Sequence, residues 1–334
     1  MRDVATEAEV SVQTVSNVIN GRSGHMTSET EARVRAVIDR LGFRPNPVAR
    51  GLRSQRVETL AFIVLDASSR FLADPMTDLF LAGLGDELRD SRNGLLIRAD
   101  HPGAELEQIL EPVIEGRVDG AVLSLSGEPK LRAAYVERLQ AVEQPLLLLQ
   151  EHGVDGDVAS VSAEDRSGSR EICLHLIALG HERIGFITAA QSWSAIEERI
   201  AGYREAHAEA GLPFEDTLIR RTGDFKPLDA AAGASDLLDL HPRVTAVMCG
   251  NDLVALGAIK AARERGLDVP GDLAVAGFDD FDFAAAVDPP LTTVRIPGYE
   301  MGRYAAATLL EAVASGDRPQ GRIFDTDVLL RGSA

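Results

Sequence analysis

The 334-residue chain has no apolar run approaching the ~20 residues that a bilayer-spanning helix needs, so a membrane helix is not expected. Its first residues, Met1-Arg2-Asp3-Val4, bring an acid early and no apolar stretch, so a secretory signal is not expected either. Cysteine is limited to Cys173 and Cys249, both inside apolar stretches. They read as small buried hydrophobes in a reducing cytoplasm, not as a disulfide framework. The seven histidines lack metal-ligand spacing, and His175 and His181 read as surface residues at a helix end; no metal or cofactor is expected. Gly83-Leu84-Gly85 lacks the third glycine of a dinucleotide fingerprint and falls in a helical stretch. There is no phosphate loop ending in Lys-Ser/Thr and no nucleophile elbow. The neighbours Asp279-Asp280 could be put forward as an acid pair, but adjacent residues at a strand end seldom aim both carboxyls at one bond. No catalytic residue is therefore assigned, and an enzyme is not expected.

Bases are also scarce, 34 against 52 acids for a net charge of −18, which taken whole argues against nucleic acid. The charge is uneven. Residues 1–56 hold nine Arg against six acids (+3), leaving 25 bases against 46 acids (−21) in the remainder. A basic head on an acidic body is the asymmetry of a nucleic-acid module joined to another function. The acidic body would repel phosphate and keep the basic face toward DNA.

Within the head, Asp3–Ala8 places Val4, Ala5 and Ala8 on one helical face. Glu9-Val10 is a tight link, and Ser11 is an N-cap for a helix over Val12–Asn20. Val15, Val18 and Ile19 point one way, while Gln13, Thr14, Ser16 and Asn17 face the other. Thr27 caps a third helix, Ser28–Leu41, with Gly42 as its stop. This is a helix-turn-helix pattern whose second helix would enter the major groove. Gln and Asn can pair bidentately with adenine, and Ser and Thr can fix register on phosphates. The alternative is a generic three-helix cap with a solvated polar face. The next segment, Phe43-Arg44-Pro45-Asn46-Pro47-Val48-Ala49-Arg50-Gly51-Leu52-Arg53-Ser54, could be a mere linker. Yet Leu52 between Arg50 and Arg53 has the composition of a minor-groove wedge.

Val10-Ser11-Val12-Gln13-Thr14-Val15-Ser16-Asn17-Val18-Ile19-Asn20, with Arg44-Pro45-Asn46-Pro47-Val48-Ala49-Arg50-Gly51-Leu52, resembles the LacI/GalR family of bacterial transcription regulators. The resemblance implies a homodimer on palindromic double-stranded operator DNA, with hinge helices that open the central minor groove. Carried over by position, it makes Val12, Gln13 and Asn17 the base readers. Ser11, Thr14, Ser16, Asn20 and His25 lie along the DNA backbone, Asn46 and Ala49 belong to the hinge, and Leu52 matches the intercalating leucine. Two positions depart from the family. Glu9 stands where it usually has Gly, and a non-Gly residue in a left-handed conformation costs ~1 kcal/mol. The Thr that usually caps the first helix is missing, and a start a few codons upstream is expected; intact-mass measurement checks it.

The body alternates strand and helix patterns. Strands are expected at Leu60–Leu65, Gly94–Ile97, Gly120–Ser124, Leu146–Leu149, Ile184–Ile187, Leu218-Ile219, Ala246–Cys249 and Leu273–Phe278. Between them, helices are expected at Met76–Asp90, Glu105–Glu115, Leu131–Ala141, Ser167–Leu179, Ser194–Ala210, Asp229–Leu238 and Leu253–Arg265. Alternating βα units mean α/β architecture, with doubly wound parallel sheets covered by helices. Two such series suggest two lobes around a cleft, and this resembles the periplasmic-binding-protein fold. The expected division is a helix-turn-helix domain at 1–44, a hinge helix at 45–56 and a core at 57–334. Within the core, a first lobe covers about 57–161 and 291–323, and a second about 162–290 and 324–334. Leu291-Thr292-Thr293-Val294 would cross back to the first lobe.

Ligands of doubly wound sheets bind at the carboxyl ends of strands. There the chain carries Asp66, Ser68, Ser69, Arg70, Phe71 and Asp74 after its first strand, Asn251-Asp252 after Ala246–Cys249, Asp279-Asp280 after Leu273–Phe278, and Arg199 on the helix after Ile187. Carboxylates, an amide and a guanidinium around an aromatic ring suit a polyhydroxyl ligand. The family resemblance adds Arg199, Asn251 and Asp279 as effector contacts and Phe225 as an aromatic wall, while Gln150 replaces an Asp of some sugar-responsive members. The candidate effector residues are thus Ser69, Phe71, Asp74, Gln150, Arg199, Phe225, Asn251 and Asp279. Alternatively, Asp252 and Asp280 cap the following helices, Phe225 is core, and Arg199 is a surface ion pair. The function expected is a cytoplasmic, nucleoid-associated repressor, dimeric because no heptad tail follows Asp327–Leu330, and switched by a sugar. A purine, nucleoside or phosphorylated metabolite is the alternative effector, and a sugar-binding transport receptor the alternative function.

Overall fold

A computed structural model describes residues 1–19, 21, 26–43, 56–68, 71–154 and 158–334. Met1–Val57 and Glu58–Ala334 are separate compact units.

The head contains α1 (Arg2–Glu7), α2 (Val12–Ile19) and α3 (Ser28–Leu41). They close over a small core of Val4, Ala5, Ala8, Val15, Val18, Val34 and Val37. Val4 with Ala8, Val15 with Val18, and Val34 with Val37 stand three or four apart, which gives each helix a single apolar stripe. Ser11 caps α2: its Oγ accepts the Thr14 N–H at 3.0 Å. Thr27 does the same for α3 through the Thr30 N–H, and Gly42 ends that helix in the left-handed conformation. The Arg33 guanidinium donates to the Ala8 carbonyl at 3.1 Å, bracing the α1–α2 turn with α3.

Glu9, in that turn, has φ 51°. This is the left-handed geometry that penalises any residue with a Cβ. Glu9→Gly is expected to stabilise the head by about 1 kcal/mol. Amide exchange at Val15 and Val18 should then slow about fivefold; unchanged exchange would show that the turn carries no strain.

The body's elements, in order, are β1 (Thr59–Leu65), α4 (Pro75–Ser91), β2 (Gly94–Asp100), α5 (Leu106–Ile109), α6 (Glu111–Ile114), β3 (Gly120–Ser124), α7 (Pro129–Leu139), β4 (Leu146–Leu149), β5 (Ala159–Ala163) and α8 (Asp165–Ala178). There follow β6 (Ile184–Ala189), α9 (Ser194–Glu209), β7 (Ile219–Thr222), α10 (Pro227–Leu238), β8 (Ala246–Cys249), α11 (Asp252–Glu264), β9 (Ala274–Ala276), β10 (Thr293–Arg295), α12 (Gly298–Ser315), β11 (Arg322–Phe324) and β12 (Asp327–Leu329). Two parallel sheets result, one ordered β11-β5-β4-β3-β1-β2 and the other β7-β6-β8-β9. The short antiparallel pair β10–β12 lies where the chain passes between the lobes.

The continuous apolar runs follow from burial on both faces. In β1, Leu60, Phe62 and Val64 enter one core with α4 and α12, whereas Ala61, Ile63 and Leu65 enter another with α5, α6 and α7. In β8, Ala246 and Met248 face the α8–α9 side and Val247 and Cys249 the α10–α11 side. Each fully buried aliphatic side chain contributes roughly 1.5–3 kcal/mol. Both cysteines are buried, and burial pushes the Cys173 thiol up to about 12, which disfavours its thiolate. Helices α4 and α12 touch backbone to backbone at Gly83: a Cβ there would lie 2.1 Å from the Tyr299 carbonyl oxygen.

Two expectations need correction. The helix expected over Glu105–Glu115 is two single turns broken at Leu110 (φ −87°, ψ 3°). Pro112 has no N–H to return to the carbonyl four residues back, and its ring clashes there. The strand expected at Leu218-Ile219 begins only at Ile219, because Asp216–Leu218 forms a 3-10 turn. No helix among the described residues is long and apolar enough to cross a membrane.

Candidate functional site

On the head, Val12 is 43% exposed and Gln13 is also exposed. The Gln13 Nε2 donates to Asn17 Oδ1 at 3.1 Å, one turn apart on α2. This holds two amides side by side on the outer surface of the helix, with Gln13 Oε1 and the two Asn17 amide N–H groups turned to no partner among the described residues. Ser11 and Thr14 bond to each other at 2.9 Å at the start of the same helix. Ser16 is placed with the core at 5% exposure, away from the face on which the sequence pattern set it. Asn20, His25, Asn46, Ala49 and Leu52, and the hinge over 45–56 apart from Arg56, lie outside the described residues.

In the body, the carboxyl ends of both sheets open on one cavity of about 260 Å³. Phe71, Asp74, Gln150, Arg199, Phe225, Asn251 and Asp279 all line it; Ser69 lies outside the described residues. Each lining position follows from where its strand stops: Asp66 after β1, Ser124 at the end of β3, Gln150 after β4, Trp193 beyond β6 and Asn251 after β8.

Arg199, on α9, is 3% exposed and not a surface pair. Its Nε donates to Asp165 Oδ1 at 2.8 Å and its Nη1 to the Gly250 carbonyl at 2.6 Å. Its Nη2 stands 2.9 Å from Asp279 Oδ1. The guanidinium also lies over the Phe278 ring, 3.9 Å from its centroid. Burial pushes the Asp279 carboxyl up to about 7, against the opposing pull of Arg199. Burial likewise raises Asp66 and Asp74, each against N–H and O–H groups that donate to its carboxylate and favour the charged form. Asp74 also caps α4, its Oδ2 accepting from the Thr77 N–H at 3.0 Å. Asp224 is pushed up by burial too, but the Phe225 N–H and Lys226 outweigh that and hold it below the ordinary carboxylate value.

The capping expectations are corrected. Asn251, not Asp252, caps α11, through its Oδ1 and the Val254 N–H at 2.9 Å. Asp280 caps nothing but pairs with Arg295 at 2.9 Å and Arg331 at 2.6 Å. Asp279 and Asp280 therefore answer to different cations and do not converge on a common point. Asp252 is buried and is not part of the cavity lining; it accepts from the Phe281 N–H at 2.8 Å and the Thr293 hydroxyl at 2.6 Å. Burial pushes it up to about 8. The folded state thus holds a proton that the unfolded chain releases near pH 4. Its contribution is full below that pH and is lost as pH rises toward 8, because there the native state binds more protons than the unfolded one. Asp252→Asn should remove this loss, gaining on the parent by about 1 kcal/mol per pH unit across the window. Urea denaturation at pH 5, 6, 7 and 8 checks it; a constant difference would contradict the shift.

Sequence reasoning missed Trp193, Lys226, Met76, Phe80 and the Arg199 partner Asp165. Trp193 carried a usable signal, an aromatic just past the carboxyl end of β6. Asp165 carried none, since its role depends on α8 lying beside α9.

The first 46 residues match the family description "Bacterial regulatory proteins, lacI family", and residues 173–334 match the periplasmic binding protein-like domain. The transcriptional regulator CelR of Thermobifida fusca is 32% identical over 99% of this chain and 96% of its own length. The transcriptional repressor CytR of Escherichia coli K12 is 30% identical over 100% of this chain and 95% of its own. The chain belongs to the LacI family. A solved CelR–cellobiose complex shares its fold with TM-score 0.74 at 31% identity, covering 99% of this chain and 98% of that one. This LacI-family member is a DNA-binding transcriptional regulator with a helix-turn-helix head and a periplasmic-binding-protein-like core.

Proposed function

We propose that this regulator is a dimeric cytoplasmic repressor of a palindromic operator, switched by an uncharged carbohydrate bound in the 260 Å³ cavity. Gln13 and Asn17 read bases from α2, with Val12 adding an apolar contact, while Ser11 and Thr14 hold phosphates. Effector binding favours one of two arrangements of the lobes and so changes operator affinity, since only differential affinity can move such an equilibrium.

The observation that carries the effector reading is the chemistry of the lining. Phe71, Trp193 and Phe225 offer ring faces to C–H groups, and Gln150, Asn251 and four aspartates offer paired polar groups to hydroxyls. Among the described residues, both lining cations are engaged: all three Arg199 nitrogens have partners, and Lys226 sits 3.2 Å from Asp224. A phosphorylated metabolite would face four carboxylates with neither of these cations available, which favours the neutral sugar. The cellobiose held by the related CelR agrees with that preference.

Thermal shift against neutral mono- and disaccharides, sugar phosphates and nucleobases tests the reading. Stabilisation by a neutral sugar is expected, by about 2.7 kcal/mol at a hundredfold excess over Kd. A shift with nucleobases or sugar phosphates alone would overturn it.

A further inference from the structure

We propose that Arg132, which does not touch the cavity, is a positioning residue that latches the Trp193-bearing segment of the second lobe against the first and so sets cavity closure. The inference rests on the effector reading of the cavity only for its consequence in regulation; the latch itself rests on contacts.

Arg132 sits on α7 of the first lobe and is 5% exposed. Its Nε donates to Glu151 Oε1 at 3.1 Å, and its Nη1 donates to the Gly127 carbonyl at 2.6 Å. The same Nη1 crosses to the second lobe and donates to Ser192 Oγ at 3.2 Å. From Ser192 the chain of polar contacts continues, the hydroxyl donating to Glu197 Oε1 at 3.0 Å, and Glu197 pairing with Arg221 of β7 at 3.0 Å. Around this crossing the backbones join as well. The Gly127 N–H donates to the Ser192 carbonyl at 2.9 Å, and Ser126 and Trp193 form an antiparallel bridge. On the far side of Trp193, the His152 N–H donates to Ser194 Oγ at 2.9 Å.

Both neighbours of Trp193 are thus tied to the first lobe, and Trp193 itself forms part of the cavity wall. A buried guanidinium is costly to desolvate, and it is held here by a carboxylate and a carbonyl of its own lobe. It therefore presents a fixed, charge-assisted donor to the other lobe. Such a bond is stronger than one between neutral groups and has a defined direction. Opening the lobes breaks it, and the Gly127–Ser192 backbone bond with it.

Trp193 is the single tryptophan of the chain, so its fluorescence reports on this segment alone. The test compares emission and acrylamide quenching of Trp193 in the full chain with those of Arg132→Gln, Arg132→Lys and Ser192→Ala, with circular dichroism to establish that each is folded. Hydrogen bonds to charged groups contribute about 1.5–3 kcal/mol, so losing this one should shift the closed-to-open ratio about 10-fold or more. Arg132→Gln should move the emission to the red and raise the quenching constant. Arg132→Lys, which keeps the charge, should restore part of the parent signal. Ser192→Ala leaves the Arg132–Glu151 pair intact and should show the same change, smaller. If Arg132→Gln does not fold, Ser192→Ala decides. Parent-like emission and quenching in a folded Arg132→Gln, or in Ser192→Ala where that variant decides, would overturn the proposal. Failure of the sugar screen would leave this result standing, so the two readings fail separately.

Discussion

Arg199→Met lowers the unfolding free energy of the body by about 3–5 kcal/mol, the usual cost of removing one partner from a buried ion pair. Arg199 stands at bonding distance from Asp279, and it also bonds Asp165 and the Gly250 carbonyl. Without it, two carboxylates at 0% and 4% exposure, Asp165 and Asp279, lose the guanidinium they share. Asp279 should then take up a proton, which limits the damage but leaves Asp165 beside His152 at 3.0 Å. The double variant Arg199→Met/Asp279→Asn should recover part of the loss, because it removes one of the stranded charges. Urea unfolding of the single and double variants measures both effects. Since Arg199 and Asp279 line the cavity, the single variant should also lose its thermal response to the sugar that stabilises the parent. A single variant as stable as the parent would show that the pair contributes nothing net, contrary to its burial.

The second large effect is on the head. Gln13→Ala should weaken binding to the selected operator by about 1–3 kcal/mol per half-site, and the loss should fall on one base pair in each half. The bond from Gln13 Nε2 to Asn17 Oδ1 makes a further point. Removing Gln13 frees Asn17 to rotate, so specificity at the neighbouring base pair should relax as well. Binding of the variant to a set of single-substitution operators reads this out. A loss that is uniform across all sequences would show Gln13 to be a backbone contact only.

Much of this was open to sequence reasoning wherever the signal was local. The stripes of Val4, Val15, Val18 and Val34 define the head core, and caps such as Ser11 and Thr27 need only a hydroxyl three residues before a free amide. The uninterrupted run in β1 declares burial on two faces, and the sheets follow from that. The limits came where a role depends on distant chain. Nothing in Arg199 and Asp165, 34 residues apart, announces their bond. Asp252 had the right type and place for a cap, but the fold turned it toward Thr293, 41 residues away, and gave the cap to Asn251. Pro112 was a local breaker whose effect was legible and overlooked, because the apolar spacing on either side of it fits a helix.

In the proposed function the effector cavity and α2 report to each other. The direct test is fluorescence anisotropy of a palindromic duplex, selected by the protein from a random library, titrated with and without the sugar found by thermal shift. Saturating sugar should change duplex affinity about 5- to 150-fold, and duplex should change sugar affinity by the same factor. Log affinity should also fall steeply with log salt, in proportion to the phosphates contacted. Sugar that binds the cavity and leaves duplex affinity unchanged would contradict the proposed function.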